Sequence, residues 1–257
     1  MSSLDLKSSF ITPNWPSPAN VRAMQTTRAG GVSLAPYHDF NLGAHVNDDA
    51  MAVAHNRQLL SPFMPSEPVW INQVHGVKAI DAAIAGCAAE ADAAYTIKEN
   101  TVCVTMTADC LPVLLCDQAG TIVAAVHAGW KGLLDGVIES TVHRMLVAMP
   151  NLAPQNLMVW LGPAIGPQAF EVGSEVREAF VTVDANATVA FKSAGNNEAS
   201  YDKWLGDIYQ LARQRLNTIG VSQIYGGDFC TYTDEARFFS YRRDNVTGRM
   251  ATIIWFT

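Results

Sequence analysis

The hydrophobic positions of this chain fall into short runs with two periods, and these alternate along its length. Residues 21–28, VRAMQTTR, alternate loosely as a strand does and are broken by the glycines of RAGGVS. From about Asp48, NDDAMAVAHNRQLL joins an Asn/Asp start to apolar residues at helical spacing and predicts a short helix. EPVWINQVHG predicts a short strand stopped at Gly76. NTVCVTMTADC sets Val102, Val104 and Met106 on one side of a strand, with Pro112 interrupting it. VLLCD and TIVAAVH, separated by Gln118, Ala119 and Gly120, predict a hairpin. GLLDGVIESTVHRMLVAM predicts a helix with Leu134, Val137, Ile138, Val142, Met145 and Leu146 along one face. A strand at NLMVWLG and a short helix at GSEVREAFVTV follow. KWLGDIYQLARQRLNTIG predicts a longer helix, with Ile208, Leu211, Leu216 and Ile219 facing inward and Gly220 as its stop. RMATIIWF reads as a closing buried strand. Strands alternating with helices, with hairpins mixed in, predict an α/β protein with a mixed sheet and helices on its outer faces. No stretch reads as a linker, so a single domain is expected.

Composition narrows the classes. The chain has 257 residues, about half of them apolar and 16% charged, which is enough to bury a large core. Its formal charge of −7 is a poor match to nucleic acid, where binding depends on neutralising phosphates. No apolar segment approaches the ~20 residues that span a bilayer, and MSSLDLKSSF lacks the pattern of a signal peptide. A soluble, cytoplasmic protein that uses neither membrane nor nucleic acid is therefore expected. The five cysteines, Cys87, Cys103, Cys110, Cys116 and Cys230, are odd in number and form no C-x-x-C pair. Reduced thiols are expected, mostly as small buried hydrophobes.

Three of the expected strands end in a residue able to ligate a metal. VWINQVHG ends at His75, VCVTMTADCLP at Cys110 and IVAAVHAG at His127. Their wide separation rules out a local finger, so any shared site must be tertiary, in the crevice beyond the strand ends where α/β folds bind ligands. Two imidazoles and a thiolate suit zinc, with a fourth position open for water or substrate. Zinc would keep Cys110 as a thiolate and lower the pKa of a bound water to ~7. The small Gly76 and Gly129 would let backbone approach closely. Taken singly, each of the three is an ordinary residue, a hydrogen-bonded histidine or a packed cysteine; the pattern lies in their matching placement. A metal-free alternative uses the same residues, with Cys110 as nucleophile, His75 or His127 as base and Asp109 as orienter. His38, His45, His55 and His143 show no such context, and the last two are expected to be partly exposed.

The motifs NQVHG, TADCLPVLL, AVHAGWKG, GPAIGP, FEVG and FFSYRRDNVTGR, with TTRAGGVS and NLGAHVND before them, resemble the YfiH-type family, also called the laccase-domain or peptidoglycan-editing-factor family. The resemblance runs from about Arg22 to the C-terminus, leaving residues 1–20 as an N-terminal extension and 21–257 as one catalytic domain. It implies a single compact α/β domain with a sandwich-like core, and a zinc site at His75, Cys110 and His127. It further implies phosphorolysis of adenosine, inosine, guanosine and methylthioadenosine, deamination of adenosine, and purine nucleoside and phosphate as small-molecule partners. Other labels in the family imply a copper polyphenol oxidase or the editing of a peptidoglycan precursor. A laccase centre needs many histidines, often as H-x-H pairs; this chain has six histidines and no such pair. Copper(II) could still occupy the same three ligands. Where many members carry cysteine after GPAIGP, this chain has Gln168 and Ala169, which argues against a required thiol there.

Other residues are candidates for substrate binding. Lys131, at the mouth of a helix and near His127, could hold phosphate, or be a plain surface lysine. Trp130 reads as core at a strand–helix junction, with stacking on a purine as the alternative. Arg28 precedes two glycines at a strand end and could face the same crevice. Asn41 and Gln73 flank similar breaks, and Gln73 would share a side with His75 in an extended strand. GPAIGP suits either backbone approach to a ligand or a rigid turn. Arg242 and Arg243 could bind phosphate or pair with Asp244, and structural pairing is favoured for at least one. Asp228 and Cys230 would alternate onto one side of a strand, with Cys230 as packing.

Overall fold

The computed structural model describes residues 6, 9–86, 88–195 and 202–257. The elements in chain order are β1 (Val21–Gln25), α1 (Ala50–Leu60), β2 (Ala79–Asp81), β3 (Ala93–Thr96), β4 (Cys103–Thr107), β5 (Leu111–Asp117), β6 (Val123–Ala128), α2 (Trp130–Asp135), α3 (Val137–Ala148), β7 (Leu157–Leu161), β8 (Glu171–Gly173), α4 (Ser174–Val183), β9 (Phe191–Ser193), β10 (Lys203–Gly206), α5 (Ile208–Thr218), β11 (Gln223–Gly226), α6 (Tyr241–Asp244) and β12 (Met250–Phe256). They form one mixed six-stranded sheet, β11-β7-β5-β6-β3-β2, and two three-stranded sheets, β1-β12-β4 and β8-β10-β9.

The six-stranded sheet packs face to face on β1-β12-β4. Leu114, Cys116, Val123, Ala125, Met158 and Trp160 of the larger sheet meet Val21, Cys103, Ile254 and Phe256 of the smaller. The intervening residues of the same strands, Val113, Leu115, Ala124, Val126 and Val159, face the other way. They pack on Val137, Ile138, Val142, Val176, Phe180, Leu211 and Leu216 of the helices. β5, β6 and β7 are thus covered on both faces, which explains why their sequences are continuous apolar runs. The alternation of β4 has the same origin. Val104 and Met106 pack with Val102, Leu60 and Trp70 on the outer side, while Cys103 faces the larger sheet. The expected α/β class, sandwich core and outer helices are all present. The stretch before β1 packs on this core, with Ile11 bridging Gln25 and Trp15 against the inter-sheet cluster.

Several local expectations need correction. The long helix over residues 132–149 is two helices. Gly136 breaks it at φ 98°, a left-handed conformation that glycine adopts at little cost. KWLG is not the start of a helix but β10, paired with β8 and β9; Asp207 then caps α5 by accepting from the Gln210 amide at 2.9 Å. Pro112 does not interrupt a strand but lies inside β5, opposite His127. It costs no ladder bond there, because its carbonyl faces the side where β7 has ended and accepts from Gly162 N at 2.9 Å. Residues 69–76 are irregular apart from the bridges Val69–Cys103 and Asn72–Glu90, and the GGDFCTY segment after β11 is not a strand. Cys103 and Cys116 are buried, Cys110 and Cys230 half-buried, and all four are free thiols; Cys87 lies outside the described residues. His55 and His143 are exposed. Among the described residues, no helix is long and apolar enough to cross a membrane.

Candidate metal centre

Three pieces of backbone converge at one end of the sandwich. His127 is the penultimate residue of β6, only 3% exposed. Cys110 sits where the chain leaves β4 of the smaller sheet and enters β5 of the larger. His75 lies in the irregular segment before β2, in a left-handed conformation at φ 59°. One ligand atom from each of the three residues falls within 4.8 Å of the other two, a cluster able to hold a metal ion. Cys110 Sγ is 3.7 Å from His75 Nε2, and the two imidazole rings meet edge to face at 4.7 Å. Two ligands on a tetrahedral zinc, with bonds near 2.3 and 2.05 Å, would stand about 3.6 Å apart. The donor set and its spacing therefore fit zinc without rearrangement of that pair.

Asp92, just before β3 and fully buried, organises the cluster, and the sequence reading missed it. One of its oxygens accepts from His75 N at 2.9 Å and lies 2.8 Å from His127 Nδ1; the other accepts from Val74 N at 3.2 Å and Gly76 N at 2.6 Å. One carboxylate thus fixes both the His75 turn and the His127 ring, leaving the Nε2 of His127 for the cluster. Burial alone would raise the Asp92 pKa, but the bonds from His127 and Gly76 hold it below the ordinary carboxylate value. Burial likewise opposes ionisation of Cys110. The facing His127 imidazolium and hydrogen bonds from both histidines outweigh it and bring the thiol down to about 6. His127 rises reciprocally to about 9: burial lowers it, while the Cys110 thiolate and Asp92 raise it further. The signal for Asp92 was an acidic residue opening a buried apolar strand, ADAAYT.

Gly129 is needed for the close approach expected of it. A Cβ there would lie 2.9 Å from His75 Cδ2 and 3.1 Å from Cys110 Sγ. Gly76 is not needed in that way, since its Cβ would make only an ordinary 3.4 Å contact with Asp92. GPAIGP braces the Cys110 crossover as a turn. Ile165 N donates to Asp109 O at 2.9 Å, Ala164 N to Tyr209 Oη at 2.8 Å, and Gly166 N to Cys230 Sγ at 3.2 Å. Cys230 is therefore packing beneath that turn. Asp109 is not an orienter of the cluster histidines; its carboxylate accepts from Thr231 Oγ1, Ser240 Oγ and Arg242 N at 2.6, 3.0 and 2.6 Å.

Two cavities flank the cluster and share His75, Ala108, Cys110 and Tyr241. One, about 220 Å³, has apolar walls of Trp130, Ile165, Phe170 and Ile208, with Asp109 and Arg242 at its edge. Trp130 is 39% exposed here, so it is a cavity wall and not core. The other, about 420 Å³, adds His45, Gln73, Met106, Thr107, His127 and Arg249.

The remaining candidates divide. Gln73 lines the second cavity, but both ends of its amide are bound to Met106 backbone at 2.8 Å. Arg28, Asn41 and Lys131 line neither cavity. Arg28 donates to the carbonyls of His38 and Glu235. Asn41 is fully buried and ties Gly43, Asp48 and Arg249 N together. Lys131 is exposed. Arg243 pairs with Asp244 and three backbone carbonyls, so the structural role falls to it; Arg242 donates to Glu171 O. His45 and Arg249 were passed over, although both lie within quoted motifs, NLGAHVND and the final TGR.

The fold and site define a class: a two-sheet α/β sandwich with a His–Cys–His cluster at one end, walled on both sides by cavities. The family model described as multi-copper polyphenol oxidoreductase laccase matches residues 22–257, and the chain belongs to that family. It is similar to the protein named purine nucleoside phosphorylase YfiH of Escherichia coli strain K12, at 55% identity over 96% of this chain and 99% of that one. A purine nucleoside phosphorylase of Haemophilus influenzae is 52% identical, covering 96% and 98%. Among solved structures, Neisseria meningitidis protein NMB0706 superposes with a TM-score of 0.89 at 45% identity, covering 96% of this chain and 99% of that one. YlmD from Geobacillus stearothermophilus gives 0.81 at 29%, covering 94% and 93%.

Proposed function

We propose that this chain is a zinc-dependent, cytoplasmic purine nucleoside phosphorylase that cleaves adenosine, inosine, guanosine and methylthioadenosine, with deamination of adenosine as a second activity. The observation that carries this reading is the His75–Cys110–His127 cluster opening onto a cavity walled by Trp130 and Phe170. The names of the relatives supply the substrate class. Three protein ligands leave a position facing substrate, and when bound, zinc supplies a Lewis acid there. Trp130, Ile165, Phe170 and Ile208 offer a flat base an apolar slot, and Asp92 bonds to both histidines. In phosphorolysis a phosphate oxygen bonds to ribose C1′ and the C1′–N9 bond breaks. Its electron pair leaves with the purine, which takes up a proton, giving free base and ribose 1-phosphate. In deamination water adds its oxygen at C6 and ammonia leaves, giving inosine.

A second reading draws on one observation. Asp92, His127 and Cys110 form an orienter–imidazole–thiol series, the arrangement of a cysteine nucleophile, which would suit an amidohydrolase editing a peptidoglycan precursor. His75 weighs against it, as a third ligand-type side chain that a Cys–His pair does not need. Copper at the same ligands is a further occupant, but six histidines do not build a laccase centre.

The test is product analysis on metal-quantified protein incubated with adenosine, with and without phosphate. Adenine and ribose 1-phosphate formed only with phosphate, and inosine formed in either case, are expected. Unchanged adenosine in both arms would defeat the proposal. Chelation abolishing turnover and added zinc restoring it would separate the metal reading from the thiol reading. Rapid inactivation of zinc-loaded protein by iodoacetamide would favour the thiol.

A further inference from the structure

Arg249 is a cation beside the cluster that lacks a carboxylate partner among the described residues; the Cys110 thiolate is the first charge that acts on it, and its guanidinium lies over the Tyr241 ring at 5.8 Å. The residue is half-buried and lines the larger cavity together with His75, Cys110 and His127. Nη1 donates to the carbonyls of Thr247 and Gly248 at 3.0 Å; Nε and Nη2 have no partner among the described residues. The carboxylates of the site are already engaged, Asp92 with the His75 turn and His127, and Asp109 with Thr231, Ser240 and Arg242 N. His45 stands at the rim of the same cavity. Gln73, which also lines this cavity, is engaged by two hydrogen bonds with the Met106 backbone. A half-buried guanidinium with N–H groups left over, lining one cavity with an imidazole and a metal-type cluster, is a fork-shaped receptor for a tetrahedral oxyanion.

We infer that Arg249 and His45 form a phosphoryl-binding subsite in the larger cavity, next to the apolar slot. The two cavities share His75, Ala108, Cys110 and Tyr241, so a phosphate at Arg249 and a nucleoside base against Trp130 would occupy adjoining spaces that meet at the cluster. This rests on the phosphorylase reading for its role as co-substrate site, and it takes the phosphate role that the sequence offered to Lys131. The same chemistry would accept inorganic phosphate or the phosphoryl group of a nucleotide.

The test titrates inorganic phosphate into metal-replete protein by calorimetry and then measures KM for phosphate and for adenosine separately. Saturable binding to the wild type is expected, weakened about 10–100-fold in Arg249→Gln and less in His45→Gln. The KM for phosphate should rise in step while the KM for adenosine moves less than about two-fold. Arg249→Lys keeps the charge but loses the fork, so it should weaken phosphate by an intermediate amount. That variant decides the matter if Arg249→Gln does not fold. A nucleoside 5′-monophosphate added in competition distinguishes the two sources. Displacement of phosphate through Arg249 assigns the subsite to a nucleotide's phosphoryl group, and failure to displace assigns it to free phosphate. Phosphate binding that is absent in the wild type, or unchanged in the Arg249 and His45 variants, would overturn the subsite. If phosphate binds through Arg249 but no purine nucleoside is cleaved, the subsite stands and the phosphorylase reading falls.

Discussion

The two histidines of the cluster are held by unlike regions. His127 lies near the end of a fully buried central strand, where pairing with β5, backbone bonding to Asp92 O at 2.7 Å and packing on both faces fix it. His75 is exposed, in a left-handed turn outside any strand, and is held mainly by hydrogen bonds from three successive backbone N–H groups to Asp92. The first position follows from sheet formation; the second depends on one tertiary carboxylate. Since that carboxylate also meets the His127 ring, the strand-borne and loop-borne ligands are not independent. The loop is in register with the cluster only while Asp92 is in place.

Breaking this link should have the largest effect. Asp92→Ala leaves three backbone donors and an imidazole unpaired in the interior, and should lower stability by about 3–5 kcal/mol in urea unfolding. Asp92→Asn keeps the size but loses the charge and turns a donor toward the Gly76 amide. A metal affinity 10–100-fold weaker is expected in competition with a chromogenic chelator, with the fold retained. An unchanged affinity would mean that the loop holds His75 unaided. Trp130→Ala leaves both histidines alone and should raise the KM for adenosine about 10-fold with metal content constant. Gly129→Ala sharpens the comparison with a smaller effect. Its Cβ would press on His75 and Cys110 but not on the β6 ladder, so metal affinity should fall several-fold while the melting temperature shifts little. Equal loss of both would show that the strand end and the loop yield together.

The same contrast explains what could be read in the chain. β5, β6, β7 and β12 are long apolar runs covered on both sides, and their types follow from pattern alone. His127 and Cys110 sit at the ends of such runs, so their convergence was legible, and His75 was found because its segment ends at a glycine. KWLG was not legible as a strand, because only three or four residues pair there and the helix beyond it dominates the window. The break at Gly136 is a single positive φ inside an unbroken apolar stripe. Asp92 shows only an acidic residue opening an apolar strand, and His45 and Arg249 carry no local signal that separates them from ordinary polar residues. Their roles depend on segments 16 or more positions away, and for Arg249 on a cavity assembled from four distant stretches. Arg28 and Lys131 were plausible for the opposite reason: local sequence placed them near glycines and a helix start, while neither lines the two cavities at the cluster.

The central claim is that His75, Cys110 and His127 form one metal centre. X-ray absorption at the zinc edge on the protein as purified tests it most directly. The account predicts one sulfur scatterer near 2.3 Å and two imidazole nitrogens near 2.0–2.1 Å, with the sulfur lost in Cys110→Ala. A shell of oxygens alone, or a sulfur that survives that substitution, would contradict it.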